Sequence, residues 1–135
     1  MKNNIERITP DNISKLKDNE VFVFGSNLSG RHGKGAAKTA LGWGAKWGQA
    51  AGLQGKTYGI PTKDASIRRV LTINEIKPYV DEFVEFAKTN TQLTFLVTPI
   101  GTGLAGYKPK QIAPLFKNAV FLENVYLPKV FLRKL

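Results

Sequence analysis

Three short apolar runs in this chain each break off into a loop of glycine, proline and small polar residues. Residues 21–24, Val-Phe-Val-Phe, run into Gly25-Ser-Asn-Leu-Ser-Gly-Arg-His-Gly-Lys-Gly35. Residues 57–60, Thr-Tyr-Gly-Ile, run into Pro61-Thr-Lys-Asp64, and residues 93–98 run into Pro99-Ile-Gly-Thr-Gly-Leu-Ala-Gly106. Apolar runs this short, rich in β-branched and aromatic residues, read as buried strands. Helical stretches separate them. That alternation requires crossover connections, hence an α/β fold with a mostly parallel sheet and helices on both faces. In such a sheet ligands bind beyond the carboxyl ends of the strands. All three loops are therefore expected on one edge, and function with them.

The clearest helix is expected over residues 73–88. Ile76, Tyr79, Val80, Phe83, Val84 and Ala87 recur there at helical spacing, with Asp81, Glu82, Glu85 and Lys88 on or near the other face. Residues 9–17 read as a short helix with Thr9 as N-cap and Pro10 in the first turn. The alanine-rich residues 35–51 read as another, weakened at Gly42, Gly44 and Gly48 by about 1 kcal/mol each relative to alanine. A further helix is expected over 109–118, with Ile112, Leu115 and Phe116 on one face, and a last strand over 124–128. Residues 130–135 carry no assignment. Phe131, Leu132 and Leu135 suit either an exposed partner contact or packing on the sheet edge. No repeat or linker divides the 135 residues, so one domain spans the chain.

Composition narrows the function. Hydrophobic residues at 42% and charged residues at 22% are globular values. No apolar run approaches the roughly 18–20 residues of a membrane span, and the polar residues 1–10 lack the apolar centre of a secretory signal. A cytoplasmic protein without a membrane partner is expected, in a bacterium or in a virus-infected cell. The chain has no cysteine, so it has neither disulfide nor thiolate. With His32 the only histidine, a transition-metal site is not expected, nor is a resident cofactor. The net charge of +10 favours anionic partners. It is divided evenly between the two halves of the sequence, with no basic tail. The oligomeric state is left open.

Ten of the 13 glycines lie between positions 25 and 59, and the other three fall in the third loop. Glycine permits left-handed backbone and lets amide groups approach a ligand with no Cβ between. A helix starting near Gly35 would add its positive end. Neither the dinucleotide fingerprint nor the P-loop spacing is present. The candidate ligand-binding residues are Gly25, Ser26, Asn27, Arg31, Gly33, Lys34, Gly35 and Ala36 in the first loop and Thr62 in the second. In the third they are Gly101, Thr102, Gly103, Leu104, Ala105, Gly106 and Tyr107. Asn27 reads either as a turn residue or as a contact to a ribose hydroxyl. Tyr107 is placed to stack on a base or ribose. Lys63, Asp64 and His32 are the catalytic candidates. The alternative for Lys63 and Asp64 is a solvated turn, and for His32 a surface loop. A lysine desolvated beside other cations can lose its proton and act as a nucleophile. Trp43 and Trp47, four apart, read as core rather than as base-stacking residues.

Taken together, these loops resemble the macro domain superfamily. The correspondence lies in Asn27 with Gly33-Lys-Gly-Ala-Ala37, and in Ile100-Gly-Thr-Gly-Leu-Ala-Gly106. Small bacterial and viral macro-like proteins are similar over Phe24 to Gly33 and over Ile60-Pro-Thr-Lys-Asp64. The resemblance covers about residues 20–128 and implies a three-layer α/β/α sandwich with a cleft for ADP-ribose, its two glycine loops around the diphosphate. One branch removes ADP-ribose from acidic side chains or nucleic-acid bases. In that branch a lysine, in a setting similar to Pro61-Thr62-Lys63, attacks the distal ribose. The same branch has an aspartate where this chain has Ala105.

Three functions are therefore carried forward. The first is binding of ADP-ribose or a related nucleotide, with hydrolysis of ADP-ribosyl groups on protein or nucleic acid as the activity that the lysine branch implies. The second is non-catalytic capture of a nucleotide second messenger in the conflict between phage and bacteria. The third is nucleic-acid binding through the positive charge.

Overall fold

The structure, a computed structural model, describes residues 7–135; residues 1–6, part of the stretch read above as lacking a signal, lie outside the described residues. The strands are β1 (Glu20–Asn27), β2 (Gly52–Gln54), β3 (Thr57–Lys63), β4 (Thr94–Val97) and β5 (Val125–Tyr126). The helices are α1 (Gly35–Leu41), α2 (Ile73–Thr89), α3 (Pro109–Ile112) and α4 (Lys129–Leu132), with a 3-10 stretch at Ala113–Phe121. One sheet forms in the order β2-β3-β1-β4-β5. β1 runs parallel to both β3 and β4, β4 runs parallel to β5, and β2 is antiparallel to β3.

Side-chain alternation along β1 divides the core. Val21 and Val23 join Tyr58, Ile60 and the α2 residues Ile76, Val80 and Phe83 on one face. Phe22 and Phe24 join Ala37 and Ala40 of α1 on the other, with Trp43 packed against them. Phe83 anchors the larger cluster, its ring centroid 5.2 Å from that of Tyr58 and 5.4 Å from that of Phe95. Burying such a side chain stabilises the fold by about 1.5–3 kcal/mol. No helix among the described residues is long and apolar enough to cross a membrane.

The sheet is mostly parallel, as expected, and β2 adds an antiparallel edge through a tight turn at Gly55 (φ +61°). Several other sequence expectations are corrected. Residues 9–17 are not helical. Ile8 bridges Leu127 in parallel and Thr9 N–H donates to Leu127 O at 3.0 Å, so tertiary pairing overrides the local cap signal. The Thr9 hydroxyl is buried and caps nothing. α1 stops at Leu41 rather than continuing to 51. Gly44 (φ +104°) approaches the Gly55 backbone so closely that a Cβ on Gly44 would lie 2.8 Å from Gly55 Cα. The helix expected over 109–118 becomes four α residues followed by a 3-10 stretch, with Pro114 unable to donate a helical hydrogen bond. The C-terminal segment packs inward through Phe131, fully buried and stacked on Phe116 with centroids 5.6 Å apart.

A capping box starts α2. Thr72 Oγ1 accepts from Glu75 N–H, and the Glu75 carboxylate accepts from Thr72 N–H at 2.9 Å. Glu75 also receives Arg69 Nη1 at 2.8 Å. Hydrogen bonding to Arg69 first, then to the Thr72 backbone, pulls the Glu75 pKa from the usual 4.5 down to about 2. The Glu75 contribution to stability is thus complete above about pH 4.5 and is lost as pH falls toward 2. Glu75→Gln should flatten this part of the acid-side decline, measured by chemical denaturation across pH. Thr72→Ala should cost about 1 kcal/mol at neutral pH.

Candidate functional site

Because β1, β3 and β4 are parallel, their three loops leave the same edge of the sheet. There they enclose a cleft of about 820 Å³. The first loop supplies Gly25, Ser26, Asn27, Arg31, Gly33, Lys34, Gly35 and Ala36 to its wall. The end of β3 supplies Thr62 and Lys63, and the loop after β4 supplies Gly101, Gly103, Leu104 and Ala105. Asp64, His32, Thr102, Gly106 and Tyr107 stand outside the wall.

The first loop is held by its own side chains. Asn27 Oδ1 accepts from Arg31 N–H at 2.9 Å and from the Ser29 hydroxyl at 2.7 Å, and Asn27 Nδ2 donates to Arg31 O at 2.8 Å. The carboxamide therefore does the work of a turn. The Ser26 hydroxyl donates to Ala50 O, fastening the loop to the segment before β2. Gly30 (φ +69°) touches the backbone of Gly48, and Gly48 N–H donates to Gly30 O at 2.9 Å.

His32 lies beneath this loop. It is fully buried, which corrects the surface-loop reading. Nε2 lies 2.9 Å from Lys46 O and 3.1 Å from Gln49 O. Both neighbours are acceptors, so Nε2 carries the proton, and Nδ1 is buried without a partner among the described residues. The ring meets the rings of Phe24 and Trp47 edge-on.

Tyr107 and Thr102 also have structural partners. The Tyr107 hydroxyl donates to Leu71 O at 2.6 Å and its N–H to Gly101 O at 2.8 Å, which ties the loop after β4 to the chain beyond β3. The Thr102 hydroxyl donates to Pro99 O at 2.7 Å. Asp64 closes the loop 64–69. Its Oδ1 accepts from the Ser66 hydroxyl at 2.8 Å and from Arg69 N–H at 3.3 Å. The Ser66 bond, and then contacts from Arg69, hold the Asp64 carboxyl below the usual carboxylate range.

Cations, glycines and apolar faces are what the cleft offers a ligand. Arg31, Lys34 and Lys63 line it, no carboxylate does, and none of the three joins an ion pair among the described residues. A Cβ on Gly33, Gly35 or Gly103 would meet no atom within 4 Å. Lys34 leaves the first turn of α1 without a side-chain cap, and that turn holds no acidic residue. Among the described residues no group of His, Cys, Asp and Glu is arranged to hold a metal ion.

Six wall residues were not among the candidates: Ala37, Thr98, Pro99 and Ile100, which adjoin candidate residues or the strand end before them, and Trp47 and Ile67, which do not. Trp47, expected in the core, is 64% exposed and lines the cleft. Its signal was the glycine pair at 44 and 48, which ends the helix before it. Ile67 also lines the cleft and is the one non-glycine residue with left-handed φ (+65°) among the described residues. A β-branched residue held there costs about 1–3 kcal/mol of strain. An isolated isoleucine in the polar run Asp64 to Arg69 was its signal.

His32→Ala should lower stability by about 2–4 kcal/mol, through a buried cavity and the loss of the ring's hydrogen bonds to Lys46 O and Gln49 O, as read by chemical denaturation. An unchanged midpoint would contradict the structural role. No protein-family model matches this chain, and neither does any curated protein or solved structure.

Proposed function

We propose that this chain is a small macro-like domain, a three-layer α/β/α sandwich, whose cleft binds ADP-ribose or a closely related phosphate-bearing nucleotide. One observation carries the reading. The cleft combines three cations that have no carboxylate partner among the described residues with glycine backbones whose Cβ directions are open. Glycine loops of this kind present amides to phosphate oxygens, and unpaired Arg and Lys beside them neutralise the charge. A volume of about 820 Å³ lies within the range typical of small-molecule sites. Trp47 and Leu104 offer exposed apolar faces for a base or sugar.

The wall composition favours capture over turnover. Lys63 is the sole catalytic candidate in it. Asp64 and His32 stand outside, and Ala105 occupies the position where the resembling branch has its aspartate. Capture of a nucleotide is therefore the reading we put first, with hydrolysis of ADP-ribosyl groups second.

Charge supports nucleic acid as the carrier of such a nucleotide. The chain at the carboxyl ends of β1, β3 and β4 holds Arg31, Lys34, Lys63, Arg68, Arg69 and Lys108 against Asp64, with Arg69 also paired to Glu75 of α2. Asp64 is already engaged by its own loop. These segments carry about half of the net charge of +10.

Calorimetric titration with ADP-ribose, with AMP as control, tests the reading. Micromolar affinity is expected for ADP-ribose. Gly103→Val should weaken it by about tenfold or more while leaving the unfolding midpoint unchanged, because the new side chain enters open space. Absence of heat with ADP-ribose, together with oligonucleotide affinity that falls steeply with salt, would replace it with nucleic-acid binding.

A further inference from the structure

Ile67 occupies a backbone conformation that its side chain disfavours, and the surrounding bonds force it to stay there. Asp64 N–H donates to Arg69 O at 2.9 Å, and Ile67 N–H donates to Asp64 O at 3.1 Å. The Asp64 carboxylate bonds Ser66 and the Arg69 backbone from inside the loop. Arg69 reaches outward to Glu75 at 2.8 Å, which fastens the loop to the first turn of α2. Below it, Lys63 bridges Val70 and Leu71 N–H donates to Thr62 O at 2.8 Å. The result is a small closed loop rooted at Lys63 with one apolar side chain on the cleft wall.

A β-branched residue persists in such a conformation only where its surroundings over-determine it, and such outliers gather at ligand sites. The fold indicates which part of a ligand it would meet. The glycine loops belong to the neighbouring strands β1 and β4, whereas Ile67 follows β3, on the far side of β1 from β4. A diphosphate held between the β1 and β4 loops leaves the β3 flank, with Lys63 and Ile67, to the group beyond it.

We propose that Ile67 is a specificity-determining residue, forming the apolar wall against which the sugar beyond the diphosphate packs, and that Asp64 is the positioning residue that aims it. This rests on the nucleotide reading above and deepens it. The cleft then selects a nucleoside diphosphate that carries a second sugar over one that ends at its phosphates.

The test compares ADP-ribose with ADP by calorimetry on the full chain. Ile67→Gly, which accepts φ +65° without strain, should lower ADP-ribose affinity about tenfold, leave ADP affinity unchanged, and not lower the unfolding midpoint. Ile67→Asn, also tolerant of left-handed backbone, should do the same. Asp64→Ala should shift the ratio of the two affinities in the same direction and add nothing further in the Ile67→Gly background. Equal losses for both ligands, or no change in their ratio, would overturn the role of Ile67 while leaving the nucleotide site intact. Wild-type protein that binds neither ligand would overturn the nucleotide reading itself.

Discussion

Everything in this molecule hangs on the parallel pairing of β1 with strands on both sides. β1 is central and buried on both faces, so its valines and phenylalanines commit the chain to two separate packing surfaces. Parallel neighbours also bring the carboxyl ends of β1, β3 and β4 to one edge. An antiparallel arrangement would send alternate loops to opposite edges, and no common cleft would exist. The cleft is a by-product of how the core closes.

Polar side chains around the cleft divide into two populations. Asn27 and Thr102 are absorbed in holding their own loops by short bonds to nearby backbone, and the Tyr107 hydroxyl in tying its loop to Leu71 beyond β3. Asp64 does the same for the β3 loop. Arg31, Lys34 and Lys63 take no part in ion pairs among the described residues. The neutral and acidic groups of these loops are engaged by hydrogen bonds within the fold, and the charge that remains toward the cleft is of one sign. That division suits recognition of an anion by preformed geometry.

Sequence patterning revealed the broad architecture and the location of the cleft. Periodicity of 3.6 marked α2 because Ile76, Val80, Phe83, Val84 and Ala87 all face one core cluster. The first and third strand-end loops were visible because glycine has few other reasons to cluster, and the second because Pro61 follows a short apolar run. What stayed hidden was decided by contacts distant in sequence. Residues 9–17 carry a fair cap signal, yet the pairing of Ile8 with Leu127 governs the entry to that segment. His32 looks like a loop residue until two carbonyls from 46 and 49 close over it. β2 is three residues long and has no periodicity to read. Trp47 followed α1 in the reading only because α1 was drawn too long.

The contact between Gly44 and Gly55 has a consequence for how this chain can vary. A Cβ on either residue would fall within 3 Å of the other's backbone, so neither position has room for even a methyl group. The two cannot compensate for one another, because shrinking one below glycine is impossible. Drift is therefore forbidden at both positions at once, while Gly33 and Gly103, where an added Cβ would meet no atom within 4 Å, are free of that steric veto. Variation that retains glycine at 33 and 103 would bear the mark of a ligand, and at 44 and 55 only that of the fold.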